Sequence, residues 1–201
     1  MKIGLFGGSF DPIHWGHIRP VLEAVEQVGL ERVLYLPTGR PPHKPDRRLA
    51  PALARYAMTE LALLEHDRLW VSSHELSEAA PTYTVDTVRH FAAAYPGDQL
   101  HLLIGADSFA ELRTWVRFRE ILDLARLVVL ARPGVETHAA SSAMLSGEPG
   151  ASSPRVRLVA NTPVETSSTE VRRLLARGER PPTGWVPEPV IDFALKYRLY
   201  R

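Results

Sequence analysis

The chain contains no cysteine, which removes disulfides, thiolate metal sites and a cysteine nucleophile from consideration together. It also lacks an excess of charge of either sign. With 24 basic against 23 acidic side chains and a formal net charge of +1, no global field is available to hold a nucleic-acid polymer or an anionic membrane. Affinity for anions therefore has to come from local placement. Long apolar runs are missing as well, and none approaches the length of a membrane span. Near the start of the chain Asp11 and two histidines stand where a secretory signal would need its apolar core. A soluble, cytoplasmic protein is expected.

What is present has ordinary globular proportions, with 45% hydrophobic and 23% charged residues, and argues against disorder over most of the length. The 201 residues suffice for one ample core and are few for two, so a single domain over residues 1–201 is expected.

The most informative stretch is the first, where Lys2-Ile3-Gly4-Leu5-Phe6 reads as a strand and is followed by Gly7-Gly8-Ser9-Phe10-Asp11-Pro12-Ile13-His14-Trp15-Gly16-His17. Gly7 and Gly8 are expected to turn with positive φ and to bring amide N–H groups against an anion. Asp11 and Pro12 punctuate the loop, and from Gly16 onward the pattern is that of a helix whose positive end adds to the attraction. His14 and His17 fall one turn apart, so both imidazoles can reach one phosphate, and neither is placed to be core. Plainer readings exist: a Gly-Gly-Ser turn is common in βα units, and His-x-x-His can be half a metal site. Zinc needs at least three protein ligands, and without cysteine the rest would come from scattered histidines or carboxylates. A phosphate-binding pair, with no protein-held metal, is the preferred reading.

Apolar residues Ile18, Val21, Leu22, Val25 and Val28 recur at helical spacing and Gly29 ends the run, so residues 16–28 form an amphipathic helix. Arg32 to Leu36 is a second strand, which completes a βαβ unit and implies parallel pairing. The alternation continues through a helix near Ala52–Glu65, a strand near Leu69–Ser72, a helix over Val85–Ala94 and a strand over Leu100–Ile104. Short helical stretches follow near Ser108–Leu112 and Arg117–Asp123, then strands at Leu127–Ala131 and Val156–Ala160. Residues 134–154, rich in Ala, Ser, Gly and Pro, read as an exposed loop. Helices close the chain within 168–200. The fold class is α/β, an open, doubly wound parallel sheet whose carboxyl edge carries the first loop, the edge at which such sheets bind ligands.

A second segment stands out. In Thr166-Ser167-Ser168-Thr169-Glu170-Val171-Arg172-Arg173, Ser167 and Glu170 have the spacing of a capping box that starts a helix. Capping leaves Ser168, Thr169 and Arg172 unassigned, and these put two hydroxyls and a guanidinium around one helix N-terminus. Capping and anion binding explain the segment equally well by itself.

Both segments carry a resemblance. Gly7 to His14 with Gly16-His17, and Ser167 to Arg172, resemble the first and last motifs of the bacterial nicotinate-mononucleotide adenylyltransferases, in the nucleotidyltransferase superfamily with a His-x-Gly-His signature. Between them Pro41-Pro42-His43-Lys44, Thr82 to Thr87, Ile104 to Ser108, Trp115 and Arg132-Pro133-Gly134 fall in the family's order, as does the ending from Val186-Pro187 to Leu199-Tyr200. The resemblance implies a Rossmann-like nucleotidyltransferase fold. It also implies attack by the phosphate of nicotinate mononucleotide on the α-phosphorus of ATP, with Mg²⁺ carried on the ATP phosphates.

By position, the resemblance assigns Gly7, Gly8, Ser9, Phe10, His14, His17, Ser168, Thr169 and Arg172 to ATP, with His14, His17 and Arg172 as the catalytic set. His17 is placed nearest the α-phosphate. Ile104, Gly105 and Asp107 would face adenosine or ribose, although Asp107 serves equally as a helix N-cap. Ser9, His43, Lys44, Thr84, Trp115 and Arg132 would meet the mononucleotide. A lone tryptophan is otherwise a packing residue, and a loop lysine a solvated one. Phosphopantetheine adenylyltransferases, which usually carry Thr where this chain has His14, and a non-catalytic nucleotide sensor are the alternatives.

Overall fold

The computed structural model describes residues 1–39, 49–76, 82–131 and 155–201. In chain order these form β1 (Lys2–Gly8), α1 (Trp15–Val28), β2 (Arg32–Pro37), α2 (Ala52–Leu63), β3 (Leu69–Val71) and α3 (Thr84–Ala94). There follow β4 (Gln99–Gly105), α4 (Ala106–Ala110), a 3-10 turn (Leu112–Thr114), α5 (Phe118–Leu124), β5 (Arg126–Ala131), β6 (Val156–Ala160), α6 (Ser168–Ala176) and α7 (Glu188–Lys196). The six strands make one sheet in the order β3-β2-β1-β4-β5-β6, with β1, β4, β5 and β6 paired in parallel. That order reverses direction at β1, the switch point at which doubly wound sheets open a crevice beyond the carboxyl ends of their strands. No helix among the described residues is long and apolar enough to cross a membrane.

By packing, the chain divides into two compact units, each built from three separate stretches. The first comprises Met1–Phe6, Pro20–Val33 and Tyr83–Pro163. Here Lys2 lies opposite Gln99 and Leu5 opposite Leu102, and β5 buries four consecutive residues, Leu127 to Leu130, as a strand covered on both faces must. Gly4 is needed for closeness, since a Cβ there would lie 2.9 Å from Val33 Cγ2 and 3.0 Å from Leu103 Cδ1. Helix α1 ends at Gly29, whose φ of 71° is the left-handed cap conformation that closes helices. Helices α3 and α5 are tied by an ion pair between Arg89 and Glu120.

The second unit comprises Gly7–Arg19, Leu34–Thr82 and Val164–Arg201. In it α2 packs on α7, with Met58 and Val190 wholly buried. Element boundaries differ from expectation by one or two residues. The largest shift is at α4, which begins at Ala106 rather than near Ser108 because Gly105, at φ −69° and ψ 158°, caps it directly off β4. The stretch 134–154 expected to be a loop lies outside the described residues.

Candidate active site

The first loop is built differently from expectation. Gly7 and Gly8 are the last residues of β1, and neither has a positive φ; that conformation falls instead on Phe10, at φ 44°. The turn is displaced because Phe10 is a core residue, only 1% exposed. Its ring meets His17 edge-on at 5.3 Å and Tyr35 at 5.5 Å, so the aromatic contact fixes where the chain must bend. The Tyr35 hydroxyl, whose pKa is pushed upward by burial, donates to the His17 carbonyl at 3.0 Å.

His14 and His17 lie together, their ring centroids 3.8 Å apart at 33°. The expectation that neither is core fails for His14, which is 6% exposed. Its Nδ1 accepts from the Gly16 amide at 3.1 Å, so in the neutral ring Nε2 carries the proton and acts as a donor. Gly16 is required by this packing: a Cβ there would lie 2.9 Å from the His14 ring and 3.6 Å from Thr166 Cγ2. Both histidines lie at the N-terminal end of α1, whose first turn carries no acidic side chain, leaving the positive end of the helix uncompensated there.

The second motif meets the first although they are far apart in sequence. Ser167 caps α6 by accepting from the Glu170 amide at 3.3 Å, and its hydroxyl donates to the Glu170 carboxylate at 2.9 Å. The residues left over by capping turn to the first loop: Ser168 donates to the Pro12 carbonyl at 3.2 Å and Arg172 Nη1 to the Asp11 carbonyl at 2.6 Å. Arg172 Nη2 also donates to Thr169 Oγ1 at 3.2 Å. The hydroxyl of Thr166 is buried without a hydrogen-bond partner among the described residues.

Asp11, Tyr200 and Arg55 carry contacts that the sequence pattern does not announce. Asp11, read as loop punctuation, is 1% exposed. Its Oδ1 accepts from the Ala50 amide at 3.2 Å and from the Tyr200 hydroxyl at 3.0 Å, and its Oδ2 lies 3.7 Å from Arg172 Nη1. Arg55 is wholly buried and donates to the carbonyls of Ser9 at 2.7 Å, Ala50 at 2.8 Å and Gly39 at 3.2 Å. It thereby staples the first loop to the segment after β2. A signal existed for it, because Arg55 falls on the buried stripe of α2 with Ala52, Met58, Thr59 and Ala62.

Thr84, Ile104, Gly105, Asp107 and Trp115 belong to the other unit. Ile104 and Gly105 end β4, and Asp107 lies in the first turn of α4 rather than at its cap, which is Gly105. Thr84 opens α3, and Trp115, half-buried, follows the 3-10 turn with its amide donating to the Leu112 carbonyl at 3.0 Å. His43, Lys44 and Arg132 lie outside the described residues. Among the described residues no cluster of three His, Cys, Asp or Glu side chains gathers to hold a metal.

Comparison with known proteins agrees with this architecture. Residues 5–174 match the family model described as cytidylyltransferase-like. A Thermus thermophilus protein named "Probable nicotinate-nucleotide adenylyltransferase" is 43% identical over 201 residues, all of both chains. A Pseudomonas aeruginosa protein of the same name is 38% identical, covering all of this chain and 97% of its own. In fold, the chain is similar to the Plasmodium falciparum nicotinic acid mononucleotide adenylyltransferase complexed with NaAD, with a TM-score of 0.77 at 19% identity, covering 99% of this chain and 97% of that one. The chain belongs to the nicotinate-nucleotide adenylyltransferase family, within the cytidylyltransferase-like proteins.

Proposed function

We propose that this protein transfers the adenylyl group of ATP to nicotinate mononucleotide, giving deamido-NAD and pyrophosphate in NAD biosynthesis in the cytoplasm. The observation that carries the reading is the docking of the α6 N-terminus on the His14–His17 segment, through Ser168 on Pro12 and Arg172 on Asp11. It places two imidazoles, two hydroxyls, a guanidinium and two helix N-termini in one compact unit, a donor-rich arrangement suited to a polyphosphate.

The mononucleotide phosphate oxygen forms the new bond to the α-phosphorus as the bond from that phosphorus to the β-bridging oxygen breaks, and the electron pair leaves with pyrophosphate. The nucleophile is already ionised, so no base is required, and catalysis reduces to in-line positioning and neutralising charge on the leaving group. His17 is assigned to the α-phosphate, with His14 donating from Nε2. Ser168, Thr169 and Arg172 take the outer phosphates, and the backbone of Gly7 to Phe10 lies along them. On the resemblance, Ile104, Gly105 and Asp107 take adenosine, while Ser9, His43, Lys44, Thr84, Trp115 and Arg132 take the mononucleotide.

Magnesium fits as a cation carried by triphosphate oxygens and water. The described residues offer it no carboxylate cluster, and Asp11 Oδ1 already accepts from Ala50 and Tyr200. When bound, it adds positive charge to the leaving pyrophosphate.

The test is pyrophosphate release with ATP and, in turn, nicotinate mononucleotide, nicotinamide mononucleotide and phosphopantetheine. Turnover with the mononucleotides is expected, with higher kcat/KM for the acid. Turnover with phosphopantetheine alone, or ATP binding without turnover, overturns the reading.

A further inference from the structure

The carboxylate of Asp11 is almost wholly buried, and a buried carboxylate is tolerated only when donors surround it. Two of its donors reach the same oxygen: the Ala50 amide and the Tyr200 hydroxyl both bond Oδ1. This fixes the side-chain rotation and turns Oδ2, which accepts no hydrogen bond among the described residues, toward Arg172 Nη1 at 3.7 Å. The same Nη1 donates to the Asp11 carbonyl, so Arg172 is held by one residue through both its main chain and its side chain. Tyr200 remains a donor at neutral pH because burial, and then the Asp11 charge, push its pKa upward. Four segments distant in sequence thus meet on one carboxylate, and the one supplied by the chain's second-to-last residue has no other assigned purpose.

We infer that Tyr200 is a positioning residue for Arg172, acting through Asp11 to hold the guanidinium where it meets the ATP phosphates. The inference rests on the proposed role of Arg172. A hydroxyl at this place acts on ATP affinity more than on the second substrate, since the guanidinium it positions through Asp11 is assigned to the ATP phosphates.

The test is a cycle of Tyr200→Phe, which removes the hydroxyl and keeps the ring, with Arg172→Ala, read as KM for ATP, KM for nicotinate mononucleotide, kcat and Tm. Loss of one hydrogen bond predicts a KM for ATP raised about five- to tenfold in Y200F, less than about a twofold change for the mononucleotide, and no further effect when Y200F is added to R172A. If Y200F does not fold, Asp11→Asn, which keeps an oxygen to accept from Tyr200 but turns an amide N–H toward Arg172, tests the same relay from its other end, with KM for ATP again expected to rise and no further effect in R172A. A lowered Tm with both KM values unchanged, or additive effects of the two substitutions, overturns the positioning role while leaving that of Arg172 intact. An R172A enzyme with unchanged kcat and KM overturns the role of Arg172 and this inference with it.

Discussion

Gly8 and Phe10 approach so closely that a Cβ on the glycine would lie 2.9 Å from two atoms of the phenyl ring. The ring in turn sets its edge against His17. The glycine is thus a spacing requirement, and its consequence reaches, by side-chain contact, an imidazole assigned to the α-phosphate.

Gly8→Ala is expected to push Phe10 from its site, at an overpacking cost of about 1–3 kcal/mol and a fall in Tm of about 3–10 °C, with kcat reduced as His17 loses its edge contact. Gly7→Ala separates space from conformation. A Cβ at Gly7 meets nothing within 4 Å among the described residues, so Tm should stay unchanged while KM for ATP rises, if the phosphates lie over that strand end. Equal Tm values for the two variants would show that the Phe10 contact does not constrain the loop.

His17→Ala should lower kcat by about 10²–10³, the usual loss for one donor aimed at developing charge, with little change in ATP affinity measured calorimetrically. Near-normal turnover would remove His17 from the chemistry. His14→Ala should be milder in rate but costlier in stability, because its ring is buried and accepts from the Gly16 amide.

The architecture was legible because it is carried by local pattern. Four consecutive buried residues in β5 and the Ser167 cap of α6 are written in neighbouring residues. Asp11, Arg55 and Tyr200 are illegible for the opposite reason. Asp11 looks like a turn residue until Ala50, Arg172 and Tyr200 come to it, and those partners are 39 to 189 positions away. Residue type points to positive φ at Gly7 and Gly8, whereas burial of the Phe10 ring puts it on Phe10. Polarity argues against a core position for His14, yet its Nδ1 finds a local amide, which lets the ring be buried.

Arg55 tests the value of that long-range stapling. Arg55→Met keeps much of the volume but leaves the carbonyls of Ser9, Gly39 and Ala50 without those donors, and each such loss costs about 1–3 kcal/mol. A drop of at least about 3 kcal/mol in urea unfolding is expected. Arg55→Lys should recover part of it, since an ammonium cannot reach three divergent carbonyls as a guanidinium does. Full recovery by lysine would mean that charge alone, without the fork geometry, holds the loop.

Stability should also fall in acid through His101, which is 4% exposed on β4. Burial, then the charges of Arg126, Lys2 and Arg157, lower its pKa from 6.5 to about 4. Below pH 6.5 the unfolded chain binds a proton that the folded chain refuses until about pH 4, so the unfolded state gains protons relative to the native one and stability falls as pH falls across that window. With the amide of Gln99 oriented to donate to His101 Nε2 at 3.1 Å, its carbonyl accepts from Arg126 at 2.9 and 3.0 Å. That arrangement suits a neutral ring and would be broken by a proton on Nε2. The full difference corresponds to ~3 kcal/mol between neutral pH and pH 4. His101→Gln, which cannot ionise, should therefore be less stable than the parent at pH 7.5 but should narrow the gap or reverse it near pH 4.5, as followed by urea midpoints. If the two proteins lose stability in parallel over that range, His101 is not the titrating group.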